Sequence, residues 1–481
     1  MAHGSAAPPG ATFENAAECP GDPIALIGPG PRPEAKGPSL SPEHAGPPPT
    51  VRDVFRTWWP LAASWLLMGF ELPVVSAIMA RLPLPTLSLA AYGGVVFPLA
   101  LLIESPIIML LSASTALSKD TASHRLVGRF MWTTGLSLVA LHALVAFTPL
   151  YDVVVGGMLG APLEIRGPAR LGLMIMTPWT ISIAFRRYSQ GLLIRFGRSK
   201  LVGVGTAVRL GMLATVLAVG AADGRLPGIA VGTMAVVAGV VAEALFAGWC
   251  ARSVERKLLA QAPAVVPALT WRRFLAFYIP LMLTPLIAFL AMPLTSAAMS
   301  RMPRAIESLA VWPALTGLVF TLRSVGFALN EVVVSMLDHP GALPALRRFA
   351  YTLAATTSGL LLVLALTPLG HLWFGPVAGL PPALVALATV GLLFSIPMPG
   401  LSAIQSLHQG ALVHAHRTRG VTEAVAVLLL VTGGALIAGV RLASVTGLYV
   451  GVIAFVLGNG AQAAWLIARA ARAARREAGL A

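Results

Sequence analysis

Apolar residues run through this chain in long blocks separated by short polar breaks. Blocks near 57–80, 87–114, 129–149, 170–194, 201–220, 227–250, 273–299, 308–335, 349–368, 382–409, 420–440 and 444–468 are each about 20 residues or longer. That length crosses a hydrocarbon layer as one helix, so the pattern predicts an all-α polytopic membrane protein with twelve transmembrane helices. Ahead of the first block, residues 1–50 are rich in Pro, Gly and Ala and read as a disordered cytoplasmic tail. They hold no apolar core of the kind a secretory signal carries.

Composition agrees. Of 481 residues, 57% are hydrophobic and only 11% charged, with a mean hydropathy of +0.80. A soluble domain carries roughly a quarter charged residues. This chain cannot cover a water-soluble body of its size, which excludes a soluble enzyme, a disulfide scaffold and a disordered polymer. Two cysteines, Cys19 and Cys250, make neither a disulfide framework nor a metal site.

The net charge is +15, from 34 Lys and Arg against 19 Asp and Glu. Its placement explains it without nucleic acid. With a cytoplasmic N-terminus, 21 basic residues fall on inner flanks, from Arg52, Arg56 and Lys119 through Arg469, Arg472, Arg475 and Arg476. Only 7 fall outside: Arg81, Arg166, Arg170, Arg225, Arg301, Arg304 and Arg441. The bias puts both termini in the cytoplasm. The abundance of Arg, Ala, Gly and Pro suggests a bacterial source, hence an inner, cytoplasmic membrane.

The chain also contains a duplication. Residues 60–90 align with 280–310 without a gap, with 12 of 31 positions identical, including Pro60/Pro280, Pro73/Pro293, Arg81/Arg301 and Pro83/Pro303. At an offset of 219 the match resumes with Thr148-Pro149-Leu150 and Thr367-Pro368-Leu369, then Gln190-Gly191 and Gln409-Gly410. Six helices separate equivalent positions. An even number keeps both copies in one orientation, so the halves relate by a pseudo-two-fold along the membrane normal. The expected division is an N-lobe over 51–255, a cytoplasmic linker over 256–270, a C-lobe over 271–470 and a basic tail over 471–481. Two such lobes enclose a cleft whose rocking gives alternating access.

With the segments GFELPVV, YSQGLLIRFGRSK and LHQGALVHAHRTR, this 6+6 repeat resembles the multidrug/oligosaccharidyl-lipid/polysaccharide exporter superfamily, which has the MATE-like fold. WWPLAASW, LAAYGGVVFPLALLIESPIIMLLSASTAL and PWTISIAFRRYSQG are similar to bacterial relatives of the progressive ankylosis protein within it. The resemblance covers roughly 51–470. It implies an alternating-access exporter or flippase driven by Na⁺ or H⁺. The ankylosis branch implies export of pyrophosphate, nucleotide or citrate-type anions.

Ionisable residues inside spans are costly and are functional candidates by default. Glu71 precedes Pro73 by two residues, and Glu104 precedes Pro106 by two. A carboxylate beside carbonyls freed by a proline suits a cation or a held proton, so both are candidate ion-coupling residues. Arg186 and Arg187 stand mid-helix with Gln190 one turn on, and Arg323 lies next to Ser324, the repeat counterpart of Glu104. These four polar residues are substrate-binding candidates, because Arg presents a rigid fork of donors to phosphate or carboxylate. Glu104 and Arg323 also form a candidate gate pair. Internal pairing of the arginines with Glu104 or Glu243, and of Arg209 with Glu243, is the rival reading. Asn330 and Glu331, near the inner end of helix 8, are gate or interface candidates. Gln190-Gly191 and Gln409-Gly410 read as repeat architecture, and Glu423 as the completion of a helix start. His142 reads as a satisfied buried histidine; His408, His414 and His416 lack the company of a metal site, and no cofactor is implied.

The resulting expectation is a secondary transporter exporting a small organic or phosphate-bearing anion, coupled to Na⁺ or H⁺. The alternatives are a multidrug antiporter for cationic amphiphiles and a flippase for a lipid-linked precursor. The partners are therefore a small-molecule or lipid substrate, a coupling cation and the bilayer. An integral-membrane transferase would need clustered catalytic polar residues at one membrane face, and the sequence shows none.

Overall fold

The computed structural model describes residues 48–415 and 417–477; residues 1–47, which include Cys19, His416 and residues 478–481 lie outside the described residues. Among the described residues the chain is entirely helical, with no strand. Twelve long helices match the twelve apolar blocks. They are α1 (Val51–Met79), α2 (Pro85–Leu117), α3 (Thr121–Phe147), α4 (Leu163–Arg195), α5 (Ser199–Asp223) and α6 (Gly228–Lys257). The second half comprises α7 (Trp271–Met299), α8 (Ala305–Met336), α9 (Ala342–Leu366), α10 (Pro382–His414), α11 (Arg419–Leu442) and α12 (Gly447–Glu477).

Eleven of these are long and apolar enough by themselves to cross a membrane. The twelfth, α4, is 33 residues long and carries Glu164, Arg166, Arg170, Arg186, Arg187 and Arg195, which lower its hydropathy. It packs against α2, α3 and α6 inside its half, and Arg186, buried within it, finds the carboxylate of Glu243 on α6. Helix α12 continues to Glu477, beyond the 468 expected for the span and into the basic tail.

Local chemistry sets the helix ends. Thr50 and Asp53 form a reciprocal capping box at the start of α1, so the first helix begins where the Pro-rich stretch stops. Helix α1 breaks at Phe70, because Pro73 supplies no N–H to the Gly69 carbonyl four residues back. Thr321 of α8 takes that carbonyl through its hydroxyl at 2.9 Å. Helix α2 is interrupted by a π-helical turn at Tyr92–Val96 and a 3₁₀ turn at Ser105–Ile107, on either side of Pro98 and at Pro106.

The duplication is visible in backbone geometry. Leu84 and Arg304, at equivalent positions, both adopt left-handed φ, 58° and 57°, a conformation that costs a non-glycine residue roughly 1–2 kcal/mol. Gly228 N donates to Pro83 O at 3.2 Å, and Gly447 N donates to Pro303 O at 3.2 Å. Both halves therefore keep the same strained turn, pinned the same way.

The first helix of each half crosses to the other half near the end of the bundle where α1 begins and α12 ends. Trp58 Nε1 donates to Val325 O at 2.9 Å, and Tyr278 Oη donates to Pro106 O at 2.6 Å. Each bond ties the first helix of one half to the second helix of the other. Toward the opposite end the halves meet where Gly93 and Gly94 lie against Pro313 and Leu309. The repeat glycines Gly191 and Gly410 have the role expected of them. A side chain at Gly191 would strike Leu111 O of α2 at 2.7 Å, and one at Gly410 would strike Val333 of α8 at 2.8 Å.

Candidate functional site

The charges inside the spans gather in two places, one per half. In the first half, Glu243 of α6 is 1% exposed and accepts from Arg186 at 2.6 Å and from Gln190 at 2.9 Å. Arg186 and Gln190 reach it together because residues four apart share a helix face. Arg209 of α5 lies 3.8 Å from the same carboxylate and also pairs with Glu71 of α1. The chain Glu71–Arg209–Glu243–Arg186 thus joins α1, α5, α6 and α4.

Glu104 stands apart. It is 2% exposed, and its Oε2 is buried without a hydrogen-bond partner. Arg187 is half-buried, and its Nε is likewise unpartnered. Counting Glu71, Glu104 and Glu243 against Arg186, Arg187 and Arg209, the charges of this cluster and its neighbours balance: three acids against three bases.

The second half differs. Arg323 of α8 donates to Asn459 Oδ1 at 2.9 Å and lies 5.6 Å over the Phe327 ring, and its Nε is buried without a partner. Gln405 of α10 donates to Asn459 O at 2.8 Å and to Gln462 Oε1 at 3.2 Å. Ser402 adds no charge; its hydroxyl donates to Arg323 O at 3.0 Å. Among the described residues no carboxylate forms a salt bridge with Arg323, whereas ion pairs are found throughout the first half. A guanidinium in a low-dielectric interior is thus held by neutral amides and an aromatic face. An anion is the group that would complete it.

The sequence-derived candidates therefore separate. Arg186, Gln190 and Glu71 are engaged in the ion-pair chain, and Arg209 reaches Glu243 as the rival reading expected. The carbonyl that Pro73 frees is taken by Thr321. Glu104 and Arg323 do not come within salt-bridge distance of one another. Asn330 is half-buried with Oδ1 unpartnered, and Glu331 beside it is exposed. Glu423 pairs with Arg469 and Arg419 in the first turns of α11. His142 is satisfied by Leu173 O at 3.0 Å and Thr180 Oγ1 at 3.3 Å.

Three polar residues of the second cluster escaped sequence reading: Asn459, Gln462 and Gln405. The signal was present, since Asn459 and Gln462 stand three apart within an apolar helix and share a face. Two cavities, of about 400 Å³ beside Trp132 and Trp249 and of about 270 Å³ beside Arg417 and Arg469, are lined by no residue of either cluster.

Solved structures share this architecture. An inward-facing multidrug resistance MATE family transporter of the MOP superfamily superposes with a TM-score of 0.63 at 15% identity, over 85% of this chain and 96% of that one. The lipid II flippase MurJ, inward closed, gives 0.65 at 14% over 85% and 87%. A MOP superfamily transporter from Pyrococcus furiosus, described by a reversed polarity of its binding pocket, gives 0.54 at 14% over 89% and 97%. No family model matches the sequence, and no curated protein matches it. The chain is a multi-pass membrane protein. Its fold is the MATE-like fold of these transporters.

Proposed function

We propose that the chain is an alternating-access secondary transporter that carries a small organic or phosphate-bearing anion outward, coupled to Na⁺ or H⁺. The observation that carries the anion reading is the charge balance inside the spans: the interior acids and bases of the first half cancel, whereas Arg323 in the second half has only amide and aromatic company. A half-buried cation held without an acid is costly inside a span, and a substrate anion relieves that cost while it is bound.

Within this reading Arg323 and Arg187 bind the anion. Arg186 and Gln190, expected to bind substrate directly, act by fixing Glu243 instead. Coupling falls to Glu104, which is buried and unpartnered, rather than to Glu71, which Arg209 already neutralises. Asn330 and Glu331 line the cytoplasmic mouth as gate residues. The two lobes are 51–255 and 271–470, joined by the linker 256–270. The basic flanks put both termini on the cytoplasmic side of a bacterial inner membrane.

Transport into proteoliposomes tests the reading. Labelled pyrophosphate or citrate should accumulate under a Na⁺ or H⁺ gradient, and Arg323→Gln should lower uptake at least tenfold. Accumulation of a cationic dye but of neither anion would replace the proposal with multidrug extrusion. Movement of a labelled lipid-linked precursor alone would replace it with a flippase.

A further inference from the structure

Arg81 and Arg301 are repeat partners just past the ends of α1 and α7, at the end of the bundle opposite the start of α1, and both are exposed. Neither is near the charged clusters. Each guanidinium donates one bond back to its own helix at 2.6 Å, to Ala77 O and to Ala297 O. The remaining donors cross to the other half. Arg81 reaches Pro376 O at 2.5 Å and Val377 O at 2.9 Å, both at the end of the π-helical turn Trp373–Val377 between α9 and α10. Arg301 reaches Met158 O at 2.8 Å, Leu159 O at 2.9 Å and Gly157 O at 3.3 Å, at the end of the π-helical turn Asp152–Met158 between α3 and α4.

The receiving carbonyls are those a helix leaves open at its C-terminal end, where a cation is favoured. The seats are also built alike. Gly160 and Gly379 follow the two turns with φ of +65° and +71°, and a side chain at either would press on the incoming guanidinium at 3.0 Å or less. Donor, acceptor turn and glycine all repeat at offsets of 219 or 220, so two copies of one device face each other across the pseudo-two-fold.

We infer that Arg81 and Arg301 are the paired latch of the far-side gate, positioning residues for the transport cycle. The inference rests on the two-lobe cycle proposed above, though not on its substrate. A guanidinium anchored on one lobe can hold a turn of the other only while the lobes touch at that end. Opening there must break both latches, and closure remakes them. Because the two are related by the two-fold, either can form first, and loss of one leaves the other intact.

The test reads the gate without any substrate. Spin labels on Val153→Cys and Leu372→Cys, exposed positions on the two receiving connectors, report the far-side separation by electron–electron resonance in lipid nanodiscs. The background is full-length protein with Cys19→Ser and Cys250→Ala. The unsubstituted latch should give mainly the short separation. Arg81→Met or Arg301→Met should each raise the ratio of long to short by about tenfold, and the double variant by about a hundredfold. An unchanged distribution in a double variant that melts like the parent overturns the inference, as does a lowered melting temperature with no long component. Should the Met variants fail to fold, Arg81→Lys with Arg301→Lys loses the fork but keeps the charge. That pair should give a smaller shift in the same direction, and no shift refutes the latch.

Discussion

Removing the Glu243 carboxylate tests whether the first cluster is a structural unit. Its side chain is 1% exposed, and the two arginines beside it, Arg186 and Arg209, are 7% and 9% exposed. Glu243→Ala therefore strands Arg186 with almost no solvent to receive its charge, while Arg209 keeps Glu71. Breaking a buried pair from one side costs about 3–5 kcal/mol. Glu243→Gln preserves the shape and one acceptor, so a loss of about 1.5–3 kcal/mol is expected, the range for a charge-assisted hydrogen bond. Arg186→Met added to Glu243→Ala removes the stranded cation and fills the space with an apolar side chain, and should recover at least half of the loss. Reversible denaturant unfolding in mixed micelles, run as a double-mutant cycle, measures each step. A cost below about 1 kcal/mol for Glu243→Ala, or strict additivity with Arg186→Met, would refute the reasoning.

The surroundings of single residues set the remaining predictions. Gly191→Ala and Gly410→Ala place a methyl group against Leu111 O at 2.7 Å and Val333 at 2.8 Å, so each should destabilise by about 1–3 kcal/mol in thermal melts. Gly211→Ala, with open space around the new Cβ, should be neutral or gain up to about 1 kcal/mol of helix propensity. In transport assays Glu104→Gln should remove dependence on the driving ion, whereas Glu71→Gln should retain it and melt at lower temperature. The opposite assignment would return coupling to Glu71.

Much of the architecture is legible in the order of residues alone. Block length counts the helices, and the match of 60–90 to 280–310 announces two like-oriented halves, which share the paired left-handed residues Leu84 and Arg304. Capping chemistry at Thr50 and Asp53 places the first helix start near the boundary read at residue 51. The site is legible only as a set of candidates. Glu71 and Pro73 suggest a cation seat, because a one-dimensional reading shows a carboxylate and a freed carbonyl but not the residues that approach them. Arg209, 138 positions away, takes the carboxylate, and Thr321 takes the carbonyl.

The sequence by itself determined what the bilayer enforces locally: helices of spanning length, the proline breaks, the repeat and the side of the loops that carries positive charge. Each depends on neighbouring residues and on solvent, so each is written in short windows. Tertiary structure alone decided which charges cancel. Helices distant along the chain lie side by side in space, and in a low-dielectric interior an ionised group is governed by whatever stands within a few ångströms. That proximity joined Glu243 to Arg186 and Gln190, set Arg323 among amides without an acid, and turned two repeated arginines into facing latches.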